Sequence, residues 1–348
     1  MGWLRAAVAA DRRPLPDPEV LVRAAEEHRL APLLEQALGA SAGAALGGAA
    51  ALSLRALCAL HRRRSRAQRA ALREILDAFA QRGLEVCVLK GAALAALVYP
   101  RPDLRPMGDL DLLVAPARGS EALELLRELG FEAPAPGWRR RLVSHQLPPA
   151  SRGPRREVVV EIHVQGLSYL APGRLALGRD APVARLPAAA GGAPMPTLEP
   201  TAMLRQLVAH AVNVRQPLRL VHLADLARWI ERFGDRIDWP ELRERWPREH
   251  RRLAWLAQAV AMPTGALAPV GTPAEGVGVA YRGWSRQGLR RGARSGPLPR
   301  LVRDTLVPPA WWARAQYGAT ARTPTWWLRL VRHPAHLAHV AVRRAIEG

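Results

Sequence analysis

The chain has two cysteines, one lysine and no long apolar run, and each scarcity excludes something. Cys58 sits in a helical pattern and Cys87 inside an apolar strand pattern, so a disulfide framework is not expected and a reducing, cytoplasmic setting is. No window approaches the ~20 apolar residues that a membrane span requires, so no transmembrane segment is expected. The opening stretch MGWLRAAVAADRRPLPDPEV carries an apolar run too short for the core of a signal peptide, with no basic region ahead of it. No internal repeat is evident. Lys90 is the sole lysine among 51 basic residues.

What is abundant is arginine, alanine, glycine and proline. At 348 residues and 49% apolar content, the chain is globular in composition and long enough for one large domain or two modest ones. The formal charge is +21 and the isoelectric point about 11.6. That excess has two readings: compositional drift onto solvated faces, as a GC-rich coding sequence would produce, or a basic surface that binds phosphates through delocalised charge. Against this background Lys90 is informative. Lysine and arginine are not equivalent where a compact point charge must reach a phosphate in a tight pocket.

Four regions follow from periodicity. Residues 1–80 read as helices: Pro16-Asp17-Pro18 opens one pattern, and a long Ala/Leu/Arg pattern runs from about Ala49 to Gln81 with an apolar stripe of Leu72, Ile75, Leu76 and Phe79. The basic run HRRRSRAQR at 61–69 reads as a solvated helix face or a grip on phosphates. Residues 81–196 alternate strand and helix, which argues an α/β (α+β) core with a small mixed sheet. In it, SEALELLRELGF is a helix with Ser120 as its cap and Gly130 as its stop. GWRRRLVSHQLPP suggests an edge strand, and REVVVEIHVQGL, with its run of β-branched residues, a further strand. Residues 171–196, rich in Pro, Gly and Ala, read as a linker or a loop near the site. Residues 197–261 form a helical subdomain, with Pro200 near a helix start, a stripe of Leu220, Leu223, Ala227 and Ile230, and an interruption at Pro247. Residues 262–348 are a Gly/Pro-rich linker and a basic tail carrying Trp311-Trp312 and Trp326-Trp327. That tail either packs back on the body or makes peripheral contact with an anionic membrane.

The chemistry concentrates in EVCVLKGAALAALVYPRPDLRPMGDLDLLV, residues 85–114. A strand ends at Leu89 and feeds Lys90-Gly91 and a helix start, where free N–H groups and the helix dipole favour phosphate. A second strand carries Asp109 and Asp111, whose i, i+2 spacing puts both carboxylates on one face. A third strand supplies Glu161 and, on the same face, His163. Carboxylates among strand apolars need a partner, a metal or an arginine. Three of them converging beside an anion-binding turn suit divalent cations held against a triphosphate.

The motifs KGAALAALVYP, RPMGDLDLLV, VVVEIHV, TLEPTAMLRQLVAHAV and RLVHLADLARWI, spanning roughly 85–230, resemble the nucleotidyltransferase superfamily with its polymerase-β-like fold. The resemblance is closer to an uncharacterised bacterial branch often found near peptide natural-product genes. It implies transfer of a nucleoside monophosphate from a nucleoside triphosphate, ATP foremost, to an acceptor hydroxyl with release of pyrophosphate. It further implies magnesium or manganese (Mg2+ or Mn2+) held by Asp109, Asp111 and Glu161, hard cations suited to oxygen ligands. Lys90, Gly91, Ala92 and Arg105 fall at the triphosphate, and His163 at the acceptor, a metal or a ligand's hydrogen-bond partner. Two departures stand out: the chain has Gly91-Ala92, with no hydroxyl, where the superfamily usually has Gly-Ser or Gly-Gly, and Glu161 replaces the more usual Asp. His210, Arg219, His222 and Asp225 fit helices flanking the nucleotide cleft, without a catalytic role. The acceptor is open: a protein, peptide, small molecule or RNA. Two other classes remain, a catalytically degenerate nucleotide- or RNA-binding module, and a scaffold in a peptide-modifying assembly.

Overall fold

Asp17 starts the first helix of the computed structural model. Its Oδ1 accepts from the backbone N–H of Glu19 at 2.9 Å and of Val20 at 3.2 Å, satisfying donors that every helix start leaves open. The structure describes residues 17–134, 146–167, 175–191, 193–212, 218–259, 306–308, 310–320 and 322–347. They fall into two compact units, Arg12–Gln206 and Leu207 onward. The expected edge strand lies largely, and the expected linker at 262–300 wholly, outside the described residues.

In the first unit α1 (Pro18–Glu27) does not continue into the next segment as one pattern. Arg29 adopts φ +57°, a left-handed conformation that no helix interior tolerates, and α2 (Ala31–Leu38) begins after it. Following α3 (Ala42–Leu46), the long α4 (Gly48–Gln81) packs its N-terminal half on these helices through Ala50, Leu54 and Cys58 against Val22 and Ala31. The basic run on α4 is tied down in part: His61 meets Glu26 at 2.8 Å, Arg62 meets Glu35 at 2.7 Å and Arg63 meets Glu157 at 3.3 Å. Its C-terminal half buries Leu72, Ile75 and Phe79. Gly83, at φ +59°, then turns the chain into the sheet.

That sheet has the order β1-β2-β4-β3. β1 (Val86–Leu89) runs antiparallel to β2 (Leu110–Val114), β2 parallel to β4 (Val158–His163), and β3 (Ala150–Arg152) antiparallel to β4. Between β1 and β2 lies α5 (Lys90–Leu97), and after β2 comes α6 (Gly119–Glu128). Ser120 is not the cap of α6: the helix starts one residue earlier, at Gly119, and its N-cap Arg118 makes no capping hydrogen bond with its side chain. Residues expected as linker or loop contain a two-stranded sheet, β5 (Val183–Leu186) paired antiparallel to β6 (Met195–Leu198). β6 is anchored to the main sheet by the fully buried Thr197, whose Oγ1 donates to the Val88 carbonyl at 2.6 Å. α7 (Pro200–Ala211) follows.

The second unit is helical: α8 (Leu220–Phe233), α9 (Trp239–Glu244), α10 (Pro247–Ala259), α11 (Ala310–Tyr317), α12 (Thr325–Trp327), a π-turn at Leu328–Arg332, and α13 (His333–Glu347). The expected stripe on α8 is displaced. Leu223 and Ala227 are buried, but Leu220 is exposed, and the fully buried Trp229 takes the weight instead. Asp238 caps α9 by accepting from Glu241 N–H at 2.7 Å, and Pro247 sits at the first position of α10, where its missing N–H costs nothing. Trp312 is buried while Trp326 is exposed. Among the described residues no helix is long and apolar enough to cross a membrane.

Candidate active site

The register of the two parallel strands builds the site. Asp111 lies opposite Glu161 and Leu113 opposite His163, so two carboxylates and an imidazole share one face of β2 and β4. On the other side Leu89 pairs with Asp111, which brings Lys90 alongside as β1 ends. Lys90 holds φ +46°, a backbone state that costs a non-glycine residue ~1–2 kcal/mol. The strain coincides with a specific contact. Lys90 Nζ donates to Asp111 Oδ1 at 2.5 Å, and His163 Nε2 donates to the same oxygen at 2.8 Å. His163 Nε2 lies 3.8 Å from Glu161 Oε2. One ligand atom from each of Asp111, Glu161 and His163 falls within 4.8 Å of the others. Asp111 and His163 are buried, whereas Glu161 keeps 22% of its side chain exposed and faces solvent access.

The electrostatics of this cluster are unequal. Burial pushes the Asp111 carboxyl up, but the Lys90 ammonium and His163 outweigh it and hold Asp111 far below the usual carboxylate range. Burial lowers Lys90, yet Asp111, Glu161 and Asp109 together raise it above its ordinary value. Burial and Lys90 depress His163, against the pull of the Asp111 carboxylate. Asp109 is not on β2, which begins one residue later at Leu110. It is half-buried and stands outside the three-residue group of ligand atoms. Burial and the Asp111 charge raise it, against the pull of Lys90, Arg29 and Arg105.

Two arginines close over the glycines of this region. Arg105 is buried, not solvated: its Nη1 donates to the Pro106 carbonyl at 2.7 Å. A Cβ on Gly91 would sit 3.2 Å from that same Nη1 and from Met107 Cγ, so the bare glycine is what lets the guanidinium approach the start of α5. Ala92, just behind, is buried in the helix. Arg29, which no local pattern singles out, lays its Nη2 3.2 Å from the Cβ position of Gly108. It is the second cation acting on Asp109 from outside the sheet. His210 and His222 meet edge to face with ring centres 5.1 Å apart, and His222 and Asp225 are buried in α8. These belong to the second unit.

A strand that ends in a lysine-led turn into a helix, followed by adjacent parallel strands presenting carboxylates on one face, defines a nucleotidyltransferase-type α/β core. The model of a family described as uncharacterised nucleotidyltransferase matches residues 14–261. The chain belongs to that family and is an enzyme of the nucleotidyltransferase class. Among curated proteins none matches it in sequence. Two solved structures are similar to it. The solution structure of the antibiotic-resistance factor ANT(2'')-Ia is 18% identical, covers 49% of this chain and 86% of its own, and has a TM-score of 0.35. The crystal structure of ANT(2'')-Ia in complex with adenylyl-2''-tobramycin is 18% identical, with 48% and 89% coverage and a TM-score of 0.34.

Proposed function

We propose that this nucleotidyltransferase moves a nucleoside monophosphate from a nucleoside triphosphate, ATP foremost, to a hydroxyl of a peptide, protein, small-molecule or RNA acceptor. The observation that carries the reading is the meeting of Lys90, Asp111, Glu161 and His163 at the junction of β1, β2 and β4. In the reaction an acceptor oxygen bonds to the α-phosphorus, the bond from that phosphorus to the bridging oxygen breaks, and pyrophosphate leaves with the electron pair. We place the catalytic core in residues 81–196, followed along the chain by the helical region 197–261, in a reducing cytoplasmic setting serving peptide natural-product biosynthesis.

The donor set fits a divalent cation. The carboxylates of Asp111 and Glu161, whose ligand atoms lie within 4.8 Å, suit magnesium or manganese through their oxygens, with His163 holding Asp111 in place. Asp111 and Glu161, with Asp109 beside them, would hold it. Such a cation, when bound, neutralises phosphate charge and acidifies the attacking hydroxyl. The protein groups do the rest. Lys90 and His163 keep Asp111 ionised at every physiological pH, ready as an acceptor. The ammonium of Lys90, at the head of α5, is the point charge nearest an incoming phosphate, with the N–H groups of Gly91 and Ala92 and the guanidinium of Arg105 behind it. Glu161, the most exposed of the group, takes the hydroxyl proton.

The test measures binding of the four ribonucleoside triphosphates with and without magnesium or manganese, in the wild type and in Asp109→Ala/Asp111→Ala. Cation-dependent binding that the double variant loses is the expected result and selects the base. Absence of cation-dependent binding for all four would overturn the proposal.

A further inference from the structure

Among the described residues of the second unit, basic side chains outnumber acidic ones around Tyr317. Three segments meet around Tyr317: α10 with Arg248 and Arg252, the end of α11 with Gln316, and the π-turn and α13 with Arg332, His333 and His336. Arg252 is buried, and its Nε and Nη2 both donate to the Gln316 carbonyl, the former at 2.8 Å. Its carboxylate neighbour Glu249, itself buried, stands 3.8 Å away, beyond hydrogen-bonding reach. The Arg332 guanidinium lies 5.4 Å from the Tyr317 ring centre. Tyr317 Oη and His333 Nδ1 share a hydrogen bond of 2.7 Å, and His336 sits edge-on to the same ring at 5.8 Å. The packing is close: a Cβ on Gly318 would fall 2.6 Å from the Arg248 carbonyl oxygen.

In these segments Arg248 Nε, Arg329 Nε, His336 Nε2 and Gln316 Oε1 are buried without a hydrogen-bond partner among the described residues, and the three nitrogens are the atoms an anion could satisfy. Natural folds rarely leave such groups unsatisfied, and pairing with an ion or a water is among the few explanations. We propose that Arg248, Arg332 and His336 form a binding site for a phosphate-class oxyanion. Guanidinium groups match tetrahedral oxyanions in shape and charge better than they match a halide. The fields agree. Burial and Arg248 bring Arg252 down to about 9. Burial lowers Arg248, with Arg332 and Arg251 adding to the effect and Glu249 opposing it. Burial, then His333, Arg248, His339 and Arg252, bring His336 down to about 4. Burial is the largest cause in each case, and the neighbouring cations add to it for Arg252 and His336.

This site is independent of the transfer reaction proposed above. The experiment therefore uses the full chain in EDTA, titrated with inorganic phosphate against chloride at matched ionic strength, and read by equilibrium dialysis and thermal unfolding. Phosphate at about ten times its dissociation constant should raise the midpoint by roughly 3 °C. Arg248→Gln and, separately, His336→Gln should weaken binding tenfold or more, while Asp109→Ala/Asp111→Ala leaves it unchanged. A 5′-phosphorylated trinucleotide and its dephosphorylated form make the second arm. Preference for the phosphorylated form over free phosphate assigns the site to the end of a larger ligand, and the reverse order assigns it to the free anion. No binding of either phosphate to the wild type beyond chloride would overturn the proposal, as would binding that neither variant diminishes.

Discussion

Replacing Lys90 with methionine should cost more stability than replacing Asp111 with asparagine, although the two residues form one ion pair. The pair is short, 2.5 Å, and its side chains are 16% and 5% exposed. Breaking a buried pair leaves the survivor uncompensated, at about 3–5 kcal/mol when nothing else offsets it. Lys90→Met leaves Asp111 facing Glu161 and Asp109, with His163 as its remaining donor. The full penalty is expected, which lowers the midpoint of the first unit by roughly 10 °C. Asp111→Asn leaves Lys90 beside two remaining carboxylates and keeps an oxygen for His163, so about 1–2 kcal/mol is expected. The double variant should fall short of the summed costs by about 2 kcal/mol. Urea and thermal unfolding in EDTA, followed by circular dichroism, measure all four proteins. The sign with pH is also set. In the wild type Asp111 is depressed, so its contribution is complete above the unfolded carboxylate value and fades as pH falls. In Lys90→Met the crowded carboxylates are raised, the folded state binds extra protons, and the deficit shrinks from pH 7 toward pH 4. Equal single costs that add strictly would refute the argument that Lys90 balances the whole cluster.

Three further outcomes are expected. His336 is held at about 4, below its unfolded value, so stability is fully present above about pH 6.5 and lost as pH drops through 4, by roughly 2–3 kcal/mol; His336→Gln should flatten that slope in low-anion buffer. Arg152 pairs twice with Glu74, at 2.5 and 3.0 Å, donates to the Leu129 carbonyl at 2.7 Å and covers Phe131 at 4.4 Å; Arg152→Met should cost about 1–2 kcal/mol in urea unfolding. Thr197→Val strands the Val88 carbonyl and should cost about 1–2 kcal/mol, and amide exchange along β6 should quicken.

The parts of the site that could be read from sequence are those written locally. The apolar run to Leu89, the turn at Lys90-Gly91, the alternation around Asp111 and the valines flanking Glu161 each follow from a period of two or from turn chemistry within a few residues. What was hidden depends on distant pairing or on a single backbone state. β5 and β6 are four residues each in a Pro- and Ala-rich stretch with no alternation to betray them, and they become strands because they pair with each other and Thr197 reaches Val88. Arg29 looks like another helical arginine until its left-handed φ carries it to Gly108. Asp109 follows the expected spacing but stops one residue short of β2. The Arg248 and His336 cluster joins segments separated by residues 260–305, across which no periodicity can be followed.

The parallel pairing of β2 and β4 has a kinetic consequence. Asp111 and His163 are 52 positions apart along the chain, and closing a loop of that length before any reward makes parallel contacts late events in folding. Until β4 docks, Asp111 has neither Glu161 nor His163 beside it, and the proposed nucleotide and cation would have nothing complete to recognise. Ligand added during refolding should therefore leave the folding rate unchanged and act on escape from the native state, lengthening its lifetime.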